Sequence, residues 1–346
     1  MNRKTLEHFE GCLLGGAVGD ALGAPVEFMT LEEIIAHFGP GGIDEFVPAY
    51  GKLGAITDDT QMTLFTAEGL ILSRTRQTEG PVSDQVLLSV YHAYLRWLST
   101  QFPGAADNMV TQHGTCSILD GILIGFRELH ARRAPGNACL SSLKSGRMGT
   151  RQDPINTSKG CGGVMRIAPV GLAEPPERVF DMACDIAAIT HGHPTGYLAA
   201  GCMAVVIDEI ISGQDLLTAV EKAGRVLEDC EHHHACSRAL AQALDAYTRQ
   251  PVAFETVASL GQGWIAEEAL AIGVYCALAA EKDFKKGLTL AVNHGGDSDS
   301  TGAITGNLLG ALLGRAAIPG QYLTRLELVP LIEEIAGDLH ALVSNP

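Results

Sequence analysis

Asp297-Ser298-Asp299-Ser300-Thr301-Gly302-Ala303-Ile304-Thr305-Gly306-Asn307-Leu308-Leu309-Gly310-Ala311-Leu312-Leu313 joins a run of oxygen-bearing side chains to an apolar stretch. The apolar residues 303, 304, 308, 311 and 312 recur at three- and four-residue spacing, which predicts a helix over 301–313. A matching arrangement stands far upstream, where Thr57-Asp58-Asp59-Thr60 precedes another helical pattern over 60–76. Oxygen-only clusters of this kind suit Mg²⁺, a hard cation that takes carboxylate, hydroxyl and water oxygens. Brought together by the fold, the two clusters would supply four carboxylates, enough for two ions. Each cluster alone also reads as a helix start, because Thr57 and Asp297 are N-cap residue types and acids in a first turn complement the macrodipole. Capping needs one such residue, however, and here hydroxyls accompany both acids in both places. Gly295, Gly296 and Gly302 surround the second cluster.

Helical spacing recurs through most of the chain, and two-residue alternation is hard to find. Further helices are expected over 6–23, 82–99, 114–132, 176–190, 196–212, 216–227, 237–248, 266–280, 284–293 and 326–343. The connections are short and carry Gly, Pro, Asn and Asp, as turns require. No composition break or linker divides the sequence, so the expectation is one all-α domain over 1–346.

Composition narrows the function. With 24 Lys+Arg against 40 Asp+Glu the formal net charge is −16, and no basic stripe is present for a nucleic-acid backbone. Nine scattered cysteines, an odd number without a CxxC pair, indicate reduced thiols and a cytoplasmic protein rather than a disulfide framework. The start of the chain faintly imitates a signal peptide, but Glu7, Glu10 and Asp20 interrupt it. No stretch reaches the ~20 consecutive apolar residues of a membrane span. Aromatic residues make up only 5% while glycine reaches 40 residues, a composition that lets helices approach closely.

Two loops are too glycine-rich and too polar to be mere connectors, and a third segment imitates a metal site. Asn156-Thr157-Ser158-Lys159-Gly160-Cys161-Gly162-Gly163-Val164-Met165-Arg166 offers successive backbone amides, the material of an anion-binding nest. His191-Gly192-His193-Pro194 lies between two expected helices, where a histidine can cap a site or stack on a base. Cys230-Glu231-His232-His233-His234-Ala235-Cys236 imitates a soft-metal cluster, but a continuous helix would spread these side chains around its circumference, and a polar, partly exposed helix is expected instead. The stretch 98–118 is also polar and turn-rich, as an ordinary variable loop or a lid would be.

Taken together these segments resemble the ADP-ribosylglycohydrolase family. The resemblance runs through Gly11-Cys12-Leu13-Leu14-Gly15-Gly16-Ala17-Val18-Gly19-Asp20-Ala21-Leu22-Gly23 and Ile56-Thr57-Asp58-Asp59-Thr60-Gln61-Met62. It continues through the 160–169 loop, Thr190-His191-Gly192-His193, the 261–270 segment beginning Gly261-Gln262-Gly263-Trp264, and His294-Gly295-Gly296-Asp297-Ser298-Asp299-Ser300-Thr301-Gly302, so it covers about 9–314 in the family's order. It implies a compact, orthogonally packed all-α fold with a binuclear Mg²⁺ centre, Mn²⁺ being an alternative ion. By position, Thr57, Asp58, Asp59, Asp297, Asp299 and Ser300 would be the metal ligands, with Ser300 where the family commonly has threonine. Glu27 matches an acidic position near the centre in some members, against a plain surface or capping role. Trp264, Glu267 and Glu268 are expected to pack and brace.

The implied activity is hydrolysis of the N-glycosidic bond of ADP-ribosylarginine on a protein. Asp59 is the first candidate for general base and Asp299 the second. The loop residues Asn156, Ser158, Gly160, Gly162, Gly163 and Met165 would hold the pyrophosphate and distal ribose, with His191 beside the adenosine. Gly162-Gly163 departs from the commoner family pattern of a small residue at the second position. The expected partner is an ADP-ribosylated protein, and a cognate ADP-ribosyltransferase toxin is a further candidate, the chain then acting in immunity; a monomer is the default. An ADP-ribose reader without turnover, a hydrolase for another ADP-ribose linkage and a metal-dependent phosphohydrolase are the rivals.

Overall fold

Residues 2–75, 81–102, 104 and 120–344 are described in the computed structural model, and their regular elements are helices, 3-10 turns and two isolated bridges. In chain order the helices begin with α1 (Leu6–Gly23), α2 (Leu31–Phe38), α3 (Asp58–Thr75), α4 (Val82–Gln101) and α5 (Asn137–Lys144). The middle of the chain supplies α6 (Ala168–Ala173), α7 (Val179–Ala188), α8 (Pro194–Ile211), α9 (Leu216–Glu228), α10 (His234–Arg249) and α11 (Phe254–Ser259). The last are α12 (Ala266–Ala279), α13 (Phe284–Val292), α14 (Ser298–Leu313), α15 (Gly320–Leu323) and α16 (Val329–Ser344). The all-α expectation is met, and the main apolar core draws on residues from Phe9 to Leu339.

Two expectations need correcting. Residues 120–132 do not form the end of a helix; they make the 3-10 turns Leu123–Gly125 and Arg127–Leu129. The rest of that expected helix, and most of the polar 98–118 stretch, lies outside the described residues, although α4 runs on to Gln101. Around the histidine run the helix begins only at His234, after His232 takes a positive φ of 64°. Apolar α8 is long enough to cross a membrane by length and composition, but 89% of it is buried inside the protein, as a central core helix should be.

The α1–α14 contact positions the site. Gly11, Gly15 and Gly19 on α1 face Gly310, Gly306 and Gly302 on α14, and the paired numbers run in opposite directions, so the helices are antiparallel. A Cβ on Gly306 would lie 2.0 Å from the Gly15 carbonyl oxygen, and one on Gly19 would lie 1.9 Å from that of Gly302. The backbones therefore touch directly, a spacing at which Cα–H···O contacts form. Any side chain in the seam would separate the helices and move the first turn of α14 away from Asp20.

Gly306→Ala is expected to destabilise the fold. Overpacking costs about 1–3 kcal/mol, which outweighs the ~1 kcal/mol that alanine gains over glycine in a helix. Thermal denaturation should show Tm falling by several degrees, whereas Gly224→Ala on α9, with nothing within 4 Å of its new methyl, should not lower it. An unchanged Tm for Gly306→Ala would dismiss the seam as a constraint.

Candidate active site

The helix starts explain where the two acidic clusters go. Both lie in first turns, Asp58 and Asp59 in α3 and Asp299 in α14, and Asp297 occupies the N-cap position of α14. The Asp297 side chain makes no capping hydrogen bond. Its Oδ2 instead accepts from the Cys161 thiol at 2.8 Å. The Thr57 hydroxyl does behave partly as a cap, accepting from Asp59 N at 3.3 Å.

The clusters meet around a cavity of about 240 Å³ lined by Glu27, Asp58, Asp59, Asp297, Asp299 and Ser300, with Gly160, Cys161, Gly162, Met165, His191 and Trp264 among the other wall residues. Behind them Asp20 fixes the start of α3. Its carboxylate accepts from Thr57 N at 3.0 Å, from Thr60 N at 3.1 Å and from the Thr60 hydroxyl. Six carboxylates thus share one buried region, each less than a tenth exposed.

Electrostatics makes this arrangement costly without a cation. Burial, then Asp299, raises Asp58, Asp59 and Asp297 well above the ordinary carboxylate range, and burial raises Asp299 itself. Burial followed by the charges of Asp299 and Asp297 pushes Glu27 up to about 10, and burial with Asp299 takes Asp20 to about 7. Like charges gathered in low dielectric favour protonation unless an opposite charge joins them. Ligand oxygens of Glu27, Asp297 and Asp299 lie within 4.8 Å of one another. Asp59 Oδ1 and Glu27 Oε2 are buried and lack a hydrogen-bond partner. Unpartnered buried carboxylate oxygens, hard donors and converging geometry fit a divalent cation.

The glycine loop forms the adjoining wall. Gly162 must be glycine, because a Cβ there would stand 2.8 Å from His191 Cε1 and 3.0 Å from Cys139 Sγ. His191 is oriented from behind: the buried Arg166 guanidinium donates to Thr190 Oγ1 at 2.7 Å, and that oxygen lies 2.9 Å from His191 Nδ1. The Thr190 hydroxyl thus links the Arg166 guanidinium to the imidazole and fixes the orientation of the ring. Burial and the Arg166 charge lower the His191 pKa to about 3, so the ring is neutral.

Other loop residues work differently from expectation. Asn156 donates to Ser142 Oγ and the Thr190 carbonyl and accepts from Ser158 N and Gly192 N, which uses its amide group in bracing the loop. Gly163 packs behind the wall against Ala187. The amides of Ser158, Gly160, Cys161, Val164 and Met165 all donate within the protein, so the loop is less of an anion nest than its glycines imply. Asn156 and Ser158 border a neighbouring cavity of about 400 Å³ that also contains Arg132 and Lys144 and shares Asn137 and Ala138 with the first.

Sequence reading passed over Asp20, Cys161 and the two basic residues of the neighbouring cavity. It also took Trp264 for packing, yet that indole is 38% exposed, lines the cavity and stacks on Phe28 with ring centroids 5.9 Å apart. Its neighbours do brace: Glu268 accepts from Gln262 N and Gly263 N, and Glu267 pairs with Lys159 at 2.8 Å. A buried acid inside an apolar helix was the available signal for Asp20.

Comparison with known proteins finds relatives over nearly the whole chain. ADP-ribosyl-[dinitrogen reductase] glycohydrolase of Rhodospirillum rubrum is 27% identical, over 96% of this chain and 95% of that protein. ADP-ribosylarginine hydrolase Tri1 of Pseudomonas putida is 23% identical over 97% and 78%. A solved structure described as an ADP-ribosylglycohydrolase-related protein complex superposes with a TM-score of 0.68 at 26% identity, covering 97% and 98% of the two chains. Residues 1–346 match the ADP-ribosylglycohydrolase family throughout, and the chain belongs to that family, whose members hydrolyse ADP-ribose linkages.

Proposed function

We propose that the protein removes ADP-ribose from arginine side chains of a modified protein, using two Mg²⁺ ions held by Thr57, Asp58, Asp59, Asp297, Asp299 and Ser300. The observation that carries this reading is the set of converging buried carboxylates around one cavity, two of whose oxygens have no partner. When bound, the ions supply Lewis-acid polarisation at the ribose and neutralise the acidic wall.

The protein's own groups divide the remaining work. Asp59 Oδ1 is free to take the proton of the attacking water, whereas Asp299 Oδ1 already accepts from Ser300 N at 2.9 Å. That favours Asp59 over Asp299 as base. Glu27 places the second free carboxyl oxygen on the cavity, where the departing nitrogen collects a proton. Neutral His191 and Gly162 shape the sugar side. The ADP portion continues into the cavity bounded by Arg132, Lys144 and Ser158, whose cations suit a pyrophosphate.

Arginine is favoured as acceptor by the rim. Phe28 is 73% exposed and stacks on Trp264 beside an acidic cavity, a combination that attracts a guanidinium by cation–π contact and charge. The relative named ADP-ribosylarginine hydrolase points the same way. A role against an ADP-ribosyltransferase toxin in the cytoplasm is compatible with this chemistry and would act through the same bond cleavage.

The test is release of free ADP-ribose from an arginine-ADP-ribosylated protein. Mg²⁺ should support release and EDTA should stop it. Trp264→Ala should raise KM about tenfold, the scale of a partly desolvated cation–π contact, with kcat little changed. No release from the arginine linkage, with tight ADP-ribose binding, would replace turnover on arginine with a reader or another linkage.

A further inference from the structure

We propose that Phe102 organises the cavity bounded by Arg132 and Lys144 into a diphosphate site, holding both cations against its ring so that they meet the two phosphates of an ADP unit together. This deepens the reading of that cavity as the ADP end of the substrate site and rests on it for the ligand. Phe102 is a positioning residue: it acts through the two cations without lining the cavity itself.

Phe102 ends α4 in extended backbone and packs against the main core. Lys144 is the last residue of α5, and its Nζ lies 3.6 Å from the centroid of the Phe102 ring. Arg132 comes from the loop before α5, with Cζ 5.0 Å from the same centroid. Its neighbour Arg133 is anchored by Glu327 and the Ile56 carbonyl, which fixes the chain at this point. The negative face of an aromatic ring holds an ammonium or a guanidinium electrostatically. A lysine in a last helical turn also complements the macrodipole, which accounts for Lys144 but not for Arg132 on the same ring.

The pair lacks what nearby cations have. Arg133, Arg147 and Arg151 each pair with a carboxylate. Among the described residues, neither Arg132 nor Lys144 has a carboxylate or hydrogen-bond partner; their shared contact is the Phe102 ring. Two like charges gathered without a counter-charge repel each other, and an anion between them removes that cost. The glycine loop does not compete for this role, because the amides of Ser158, Gly160, Cys161, Val164 and Met165 already donate within the protein. Arginine brings a planar fork and lysine a point charge, a combination that serves two adjacent phosphates. Asn137 and Ala138, common to both cavities, lead from this site to the acidic one.

The experiment measures ADP binding to the full-length protein by calorimetry in EDTA, since ADP lacks the second ribose that would enter the acidic cavity. Phe102→Leu should weaken ADP binding by about tenfold, the scale of the cation–π contacts it removes, whereas Phe102→Tyr keeps the ring and should bind within about twofold of the parent. Lys144→Met should also weaken ADP binding, and Phe102→Leu added to it should cost clearly less than in the parent, because ring and cation act as one unit. A half-buried phenylalanine can matter for folding, so a second measurement uses the unaltered protein: ADP should shield Lys144 from acylation, read by peptide mapping. Equal ADP affinity in Phe102→Leu, additive losses in the double variant, or an unshielded Lys144 would each overturn the proposal. Unchanged ADP affinity when Arg132→Met and Lys144→Met are combined would take ADP out of this cavity altogether, and the reading beneath the proposal would fall with it. None of these readouts needs bond cleavage, so a protein inactive on the arginine linkage can still show the diphosphate site.

Discussion

Asp59→Asn should lower kcat/KM for ADP-ribose release by about 10³-fold, within the range for loss of a general base, while leaving the metal-free protein as stable as before or more so. The two effects share one cause. Asp59 Oδ1 has no hydrogen-bond partner and lies among Asp58, Asp299, Asp297 and Asp20, an environment suited to a cation or a reacting proton and poor for an unneutralised carboxylate. Asparagine keeps the shape, removes the charge and offers an N–H to neighbouring carboxylates. Without metal the repulsion falls; with Mg²⁺ the variant gains less. A ligand at about a hundred times its Kd stabilises the folded state by about 2.7 kcal/mol, so the loss of Mg²⁺-induced Tm shift is measurable in a thermal melt. Activity within tenfold of the parent would remove Asp59 from the base role. A fall in metal-free Tm would mean that the Thr57 hydroxyl's bond to Asp59 Oδ2, at 3.4 Å, matters more than the relief of repulsion.

The sequence displayed the composition of this site better than its assembly. Acids and hydroxyls adjacent in the chain are visible at Thr57 to Thr60 and Asp297 to Thr301 because first-turn positions group neighbouring residues. Their meeting depends on α1 and α14 lying backbone to backbone. Glycines at 11, 15, 19 and at 302, 306, 310 carry the four-residue period of that seam, but a period does not name its partner helix. Helix starts were placed two or three residues late, at 60 and 301, because apolar periodicity begins only after the polar first turn. Five short helices, α2, α5, α6, α11 and α15, offer at most eight residues, too few for the period to show.

Side-chain roles were harder to read than positions. Asn156 resembles a ligand-binding residue in a glycine loop, yet its amide braces that loop through four hydrogen bonds. Trp264 looks like core in sequence, and only the fold shows it stacked at a cavity rim. Asp20 sits in an otherwise apolar helix, where a single acid reads as an interruption. Its partner amides at 57 and 60 are nearly forty residues away. These contacts depend on long-range packing, which local spacing does not encode.

The metal-free protein should lose stability as pH rises from about 7 to about 8, and saturating Mg²⁺ should flatten or reverse that loss. The sign follows from proton counts. Glu27 goes from an ordinary 4.5 to about 10 in the fold, and Asp20 from 3.8 to about 7. Across the intervening pH range the folded state binds more protons than the unfolded chain, so the stability of the protonated cluster is lost as pH climbs through each folded value. Histidines act in the opposite sense at lower pH. His191, lowered to about 3, and His294, lowered to about 4, are neutral in the fold and protonated when unfolded below the ordinary 6.5, so their contribution rises with pH up to that value. Above it they no longer change, and the carboxylates dominate the slope. Glu327, lowered by its hydrogen bonds to Arg133 and Lys52 despite burial, titrates below 4.5 and stays out of the window. Cation binding holds the cluster ionised in the folded state, which removes the excess protons and with them the slope. Thermal melts in EDTA and in Mg²⁺ at both pH values measure the effect. A metal-free Tm that rises across this interval would show that the buried carboxylates are neutralised by something other than protons or a bound cation.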